Sequence, residues 1–306
     1  MPKTVLLRPD LIDTLITTDR LSSYQAVFSP ASDLELVGAY LWNAHACSSL
    51  YALVGAAEIA LRNAIDQALT GDMGAKWWVK GTLKSRPWTG PKPPFAVKVV
   101  TENFNTASQK AAKDAAKRQR QQGFVSPSHG DVIGATDFST WEFLLDREYM
   151  SPGLIWPKHL GSVLMGQWPS AQASKTLTHA QNLTKITREF RNRLFHHEPA
   201  WKRYGVNSVT DAVDHLEEKI DRIESLIALV HPEKHKLLMR NGFLPAARRA
   251  CSITELHRFQ RSLKPHRVGT MRKLQSAVDL SHAGNQALEV ITFEGQGKRF
   301  VLTPIY

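Results

Sequence analysis

Residues 174–199 read SKTLTHAQNLTKITREFRNRLFHHEP, and this stretch decides the fold. Leu177, Ala180, Leu183, Ile186, Phe190 and Leu194 recur at intervals of three and four, the spacing of one apolar helical face. Ser174 stands where a cap would open the helix, and Pro199 where the chain must leave it. Upstream, Asp33 reads as the cap of a long helix through Val37, Tyr40, Leu41, Ala44, Leu50, Leu53, Val54, Ala57, Leu61, Ile65 and Leu69, closed at Gly71. Downstream, a helix begins near Ser208, passes through Val213, Leu216, Ile220, Ile223 and Ile227, and stops at His231-Pro232. Shorter helices are expected over Ser22–Phe28 and Ile253–Leu263.

Trp77 to Pro94 breaks the pattern with tryptophans, glycines and prolines, and reads as a loop insertion. A polar helix rich in alanine and lysine follows, about Ala96–Gln122, then a loop marked by Gly123, Pro127 and Gly130. Apolar periodicity returns over 131–172. Near the end, Leu288–Phe293 and Arg299–Thr303 flank Gly295-Gln296-Gly297 and predict a β-hairpin. The expected fold is therefore mainly α. A helical bundle spans 1–246 with a basic helical insertion at 72–130, and 247–306 form a small α+β extension with the hairpin.

The formal net charge of +11 favours a polyanionic partner, nucleic acid first and an anionic membrane surface second. Two cysteines without a Cys-x-x-Cys pair argue against a disulfide framework or a thiolate zinc site. The apolar run at the N-terminus is too short for a signal peptide, and the stretch Leu50–Leu61, interrupted by Glu58, reads as a core helix. A cytoplasmic protein is expected. Ser49, Ser139 and Ser170 lie in no glycine-flanked elbow, and no glycine-rich phosphate loop appears. His215, His235, His257 and His266 stand alone and read as surface or packing residues.

The segment Phe190–Pro199 gathers arginine, an amide and histidine within about two helical turns. Arginine offers a planar, permanently charged fork to phosphate oxygens. Histidine moves protons near neutral pH. On a helix Asn192 lies under His196 and could fix its tautomer, and Arg193 lies under His197. Arg191 is five residues before His196, about 140° away round the helix. One copy cannot easily close both on one phosphate. A widened last turn would help, and a symmetric dimer would help more. Such a cleft could cleave RNA without metal: one histidine takes the 2′-hydroxyl proton, another protonates the leaving 5′-oxygen, and arginine stabilises the phosphorane. DNA lacks that hydroxyl. The competing structural reading is that these basic residues merely complement the helix dipole. Adjacent residues point apart on a helix, so His196-His197-Glu198 makes a poor metal site, and neither metal nor cofactor is expected.

Arg191-Asn192-Arg193-Leu194-Phe195-His196-His197-Glu198-Pro199 resembles the signature of the Abi-like (abortive infection) proteins of bacteria, in the HEPN superfamily. Nucleases of that superfamily share an Arg-x(4–6)-His motif, which Arg191, Asn192 and His196 fit. Glu58-Ile59-Ala60-Leu61-Arg62-Asn63 resembles the family's upstream Glu-x-x-Leu-Arg-Asn pattern. Phe138-Ser139-Thr140-Trp141 resembles its middle aromatic stretch loosely. The resemblance covers about residues 20–235. It implies a HEPN-type helical bundle, a homodimer, metal-independent RNase activity and a role in phage defense as a toxin. Arg191, His196 and Asn192 would be catalytic, with His197, Glu58, Arg62 and Asn63 in support. An antitoxin or a structured RNA regulator would be a further partner. Glu58 could instead bind Arg62 in a polar network that locks the helix bearing Arg191.

From Lys76 to Arg120 eleven basic residues face only Glu102 and Asp114. Lys76, Lys80, Lys110, Lys113, Lys117, Arg118 and Arg120 are the candidate RNA contacts, with Trp77, Trp78, Trp88, Phe95 and Phe104 as stacking partners. Packing of those aromatics on the bundle is the alternative. Other functional readings are a non-catalytic RNA-binding module of a defense or toxin–antitoxin system, and a helical protein whose basic face meets an acidic partner.

Overall fold

The computed structural model describes residues 16–120, 123, 125–292 and 298–305. The chain is mainly helical, with twelve α-helices and a three-stranded sheet among the described residues. It divides into two compact units that share three long helices. One unit comprises 1–53, 192–221 and 237–306, the other 54–191 and 222–236.

The first unit opens with α1 (Thr18–Phe28) and the start of α2 (Asp33–Met73). It takes in the last residues of α7 (Ala173–Phe195) and the first part of α8 (Val209–Val230), then the end of α9 (Pro232–Arg240), α10 (Phe243–Ala250) and α11 (Ile253–Phe259). Its core is aromatic. Tyr24 and Phe28 pack edge-on against Trp201 at centroid distances of 5.1 and 4.9 Å. Trp42 joins them and donates its indole N–H to the Ala250 carbonyl at 2.9 Å. Gly38 lets α2 press on α11: a Cβ there would lie 2.7 Å from the Gln260 Cα.

The C-terminal segment is a β-α-β-β unit. β1 (His266–Val268) runs parallel to β2 (Leu288–Thr292) across α12 (Met271–Ala283), and β3 (Arg299–Leu302) pairs antiparallel with β2. Val268, Ala277 and Val290 form its small core. The expected strand pair is present; its turn, 293–297, lies outside the described residues. β1 and α12 add to the expectation, and they form the crossover that parallel strands require.

The second unit contains the rest of α2, α3 (Phe95–Gln119), α4 (His129–Ala135), α5 (Phe138–Leu144), the 3-10 turn Arg147–Tyr149, α6 (Ile155–Val163), and most of α7. Ala96, Val100, Phe104, Ala107, Ala111 and Ala115 form a buried, mostly alanine face that seats α3 against α4 and α5. The basic segment is thus built into this unit's core. α4 starts at a reciprocal capping box between Ser128 and Asp131.

Several helix boundaries differ from expectation: α1 begins at Thr18 rather than Ser22, α11 ends at Phe259 rather than Leu263, and three caps move. The cap of α2 is Ser32, whose hydroxyl accepts the Glu35 N–H, so Asp33 is already helical. The helix passes through Gly71, and its left-handed stop is Gly74 at φ +81°. In α7 the Lys175 and Thr176 N–H groups donate to the Gln172 carbonyl, placing Ser174 inside the first turn. The buried face of α7 also shifts. Thr176, Thr184 and Thr187 are fully buried, whereas Ile186 is only half-buried. Thr184 and Thr187 donate their hydroxyls to the carbonyl four residues back, so burying them leaves no donor unmet.

By length and composition α2 is long and apolar enough to cross a membrane, with a best-window mean hydropathy of 1.3. Leu50, Leu53, Leu61, Ile65 and Leu69 have no exposed surface, while Leu41, Tyr51 and Ile59 are exposed, so α2 packs by one face and only 33% of its apolar window is buried.

Candidate functional site

The end of α7 is closed by its backbone. The His197 N–H donates to the Leu194 carbonyl and the Glu198 N–H to the Arg193 carbonyl, with His197 left-handed at φ +52°. This is a Schellman closure with histidine where glycine is usual. The His196 N–H still donates to Asn192 in helical fashion, so the last turn is not widened. Arg193 is spent on the closure. Its guanidinium donates to the Pro199 and Lys202 carbonyls and lies 3.8 Å from Glu198.

His196 and His197 are both exposed. The expected Asn192–His196 hydrogen bond is not formed, and neither side chain makes one among the described residues. Beside this end lies a cavity of about 660 Å³, walled by Arg20, Tyr40, Asn43, Cys47, Tyr51, Phe195 and His197. Arg20 donates to the His197 carbonyl. The Tyr51 and Phe195 rings are half exposed and 5.0 Å apart. Burial pushes the Cys47 thiol up to about 11, so it remains protonated and unreactive at neutral pH.

One turn earlier, Arg191 Nε lies 3.6 Å from the Glu58 carboxylate, and both side chains are largely buried. Burial raises the Glu58 pKa, and Arg191 and Arg62 pull it back by favouring the anion. Arg62 Nε donates to the neighbouring Asn63 Oδ1 at 3.3 Å. The upstream stretch and the Arg–His helix, far apart in sequence, thus meet in one ion pair. The residue after the middle stretch also reaches α7: Arg188 donates to Glu142, which is only 3% exposed. That buried bridge was not anticipated. The one signal in the sequence was a glutamate set among the apolar residues of the 138–145 run.

The basic segment splits in two. Lys110, Lys113 and Lys117 share the exposed face of α3, with Arg118 and Arg120 beside them and Lys80 exposed on the preceding loop. Arg118 is paired with Asp131 at 2.7 Å. Lys76 is half-buried, left-handed at φ +60°, and bonded to Ser126 at 3.4 Å. The stacking expectation fails for three aromatics. Trp77 and Phe104 are buried, and Trp78 stacks face to face on Phe104 at 5.0 Å. Core packing uses these rings up; Trp88 and Phe95 remain exposed.

His129, which drew no notice in the sequence, sits in a polar knot. Its Nδ1 accepts the Lys76 N–H at 3.0 Å, which leaves Nε2 to donate to Asp66, also at 3.0 Å. Trp77 donates to the same carboxylate at 2.8 Å. The knot ties the loop after α2 to α4, a structural use. No group of three His, Cys, Asp or Glu side chains among the described residues is placed to hold a metal ion. No family model, curated protein or solved structure matches this chain.

Proposed function

We propose that this chain is a metal-independent endoribonuclease of the Abi-like HEPN type, acting as a homodimer in bacterial defense against phage. One observation carries the reading: the Glu58–Arg191 ion pair joins two of the sequence stretches that support the resemblance. The exposed His196 directly follows the helix that carries Arg191.

In the proposed reaction the RNA 2′-hydroxyl attacks its own phosphorus and gives its proton to the His196 imidazole of one subunit. The departing 5′-oxygen takes a proton from the imidazolium of the other subunit. Arg191 neutralises charge building on the phosphorane oxygens. Glu58 fixes the direction of that guanidinium. The aromatic cavity beside His197 takes a neighbouring base, and the lysine face of α3 tracks the strand.

The test is incubation with single-stranded RNA in EDTA. Cleavage should persist and leave a 2′,3′-cyclic phosphate and a 5′-hydroxyl, and a single 2′-deoxy substitution at the cut site should block it. A second reading, a non-catalytic RNA-binding module, draws on the absence of the Asn192–His196 hydrogen bond. Retention of RNA without any cutting would favour it.

A further inference from the structure

At the far end of α7 from Arg191 lies a second cavity, of about 400 Å³, lined by Arg86, Arg147, Met150, Ser174, Lys175 and Thr178. Three of these are cations, and no carboxylate among the described residues lines the space. Arg86 is held in place: Nε donates to the Ser151 hydroxyl and Nη2 to the Met150 carbonyl, both at 2.7 Å. Its Nη1 makes no hydrogen bond among the described residues. The half-buried guanidinium is thus oriented in advance, with donors to spare.

Lys175 is exposed, with no carboxylate partner among the described residues, and the Ser174 hydroxyl lies one residue before it. Arg147 is 82% exposed and shares Glu148 only at 3.9 Å, so its charge also faces solvent. The cavity opens beside the first turn of a 23-residue helix, whose positive end adds to the same sign.

We propose that this cavity binds a phosphate group of a ribonucleotide strand, with Arg86, Arg147 and Lys175 as ligands. Ser174 lies 17 residues before Arg191 on one helix, about 26 Å along its axis. The phosphate held here therefore lies several nucleotides from Arg191. The site does not depend on the chain being a nuclease, because it is a binding site remote from His196 in sequence.

The test uses a fluorescent RNA oligonucleotide, with and without a 5′-phosphate. Full-length His196→Ala protein serves as background, so that cutting plays no part. Salt titrations compare it with the same protein carrying Arg147→Gln and Lys175→Gln, two exposed positions whose replacement leaves the Arg86 anchor intact. Loss of two of its three cations should lower the slope of log affinity against log salt by up to about 0.7, the amount for one phosphate of a single strand. A loss seen with both oligonucleotides assigns the site to a bridging diester. A loss confined to the 5′-phosphorylated one assigns it to a terminal monoester. Unchanged slope and affinity with both would overturn the proposal.

Discussion

Arg191 and His196 behave differently because their surroundings differ. The guanidinium is held by a carboxylate that burial makes reluctant to ionise, while the imidazole meets water. The chain's other informative histidine is His215, which is 4% exposed. Burial, helped by Lys219 and Arg203, lowers its pKa to about 4. Between that value and 6.5 the unfolded chain takes up a proton that the folded chain refuses, so stability rises with pH across this window and is level for this group above it. The contribution lost on acidification is about 3 kcal/mol, from a shift of two and a half pH units at 1.36 kcal/mol each. Urea melts at pH 7 and pH 4.5 should show most of that loss in the native chain and a smaller one in His215→Leu. Equal losses would show that His215 is not the group responsible. The sequence left His215 open between surface and packing, and the structure buries it. The pairing of Glu58 with Arg191 was not legible: the sequence offered Arg62, four residues on, as the nearer partner.

At the scale of elements, the long amphipathic helices were legible because three- and four-residue spacing survives any tertiary arrangement. Caps were less so. Ser32, Asp33, Ser170 and Ser174 all qualify by residue type, and only backbone geometry selects among them. The end of α7 shows the same limit: Pro199 signals a stop, but the left-handed residue that makes it is His197. The roles of the tryptophans were illegible, because a run of rings beside lysines looks alike whether it stacks on bases or on Phe104. Close approach of elements is also invisible in sequence. Gly166 donates to the Leu229 carbonyl at 2.9 Å, and a Cβ there would lie 2.2 Å from the Ala228 carbonyl oxygen. Backbone cannot yield as a side chain tip can. Gly166→Ala should therefore cost about 2 kcal/mol or more in urea unfolding. Gly161→Ala, in α6 with nothing near its Cβ, should instead stabilise by about 0.5–1 kcal/mol. Similar midpoints for the two variants would contradict this packing.

At the scale of the molecule, the chain divides into two compact units, and the divisions fall inside α2, α7 and α8. The mainly helical architecture was readable from periodicity. The division was not, because it falls inside continuous helices and leaves no linker composition to see. The proposed chemistry needs two copies, since a regular helix keeps Arg191 and His196 on different faces. The most direct measurement is RNA cleavage in EDTA by His196→Ala, with dimer state and folding followed by sedimentation and circular dichroism. The account predicts a folded dimer that retains RNA and does not cut it. Cutting by His196→Ala at the native rate would contradict it.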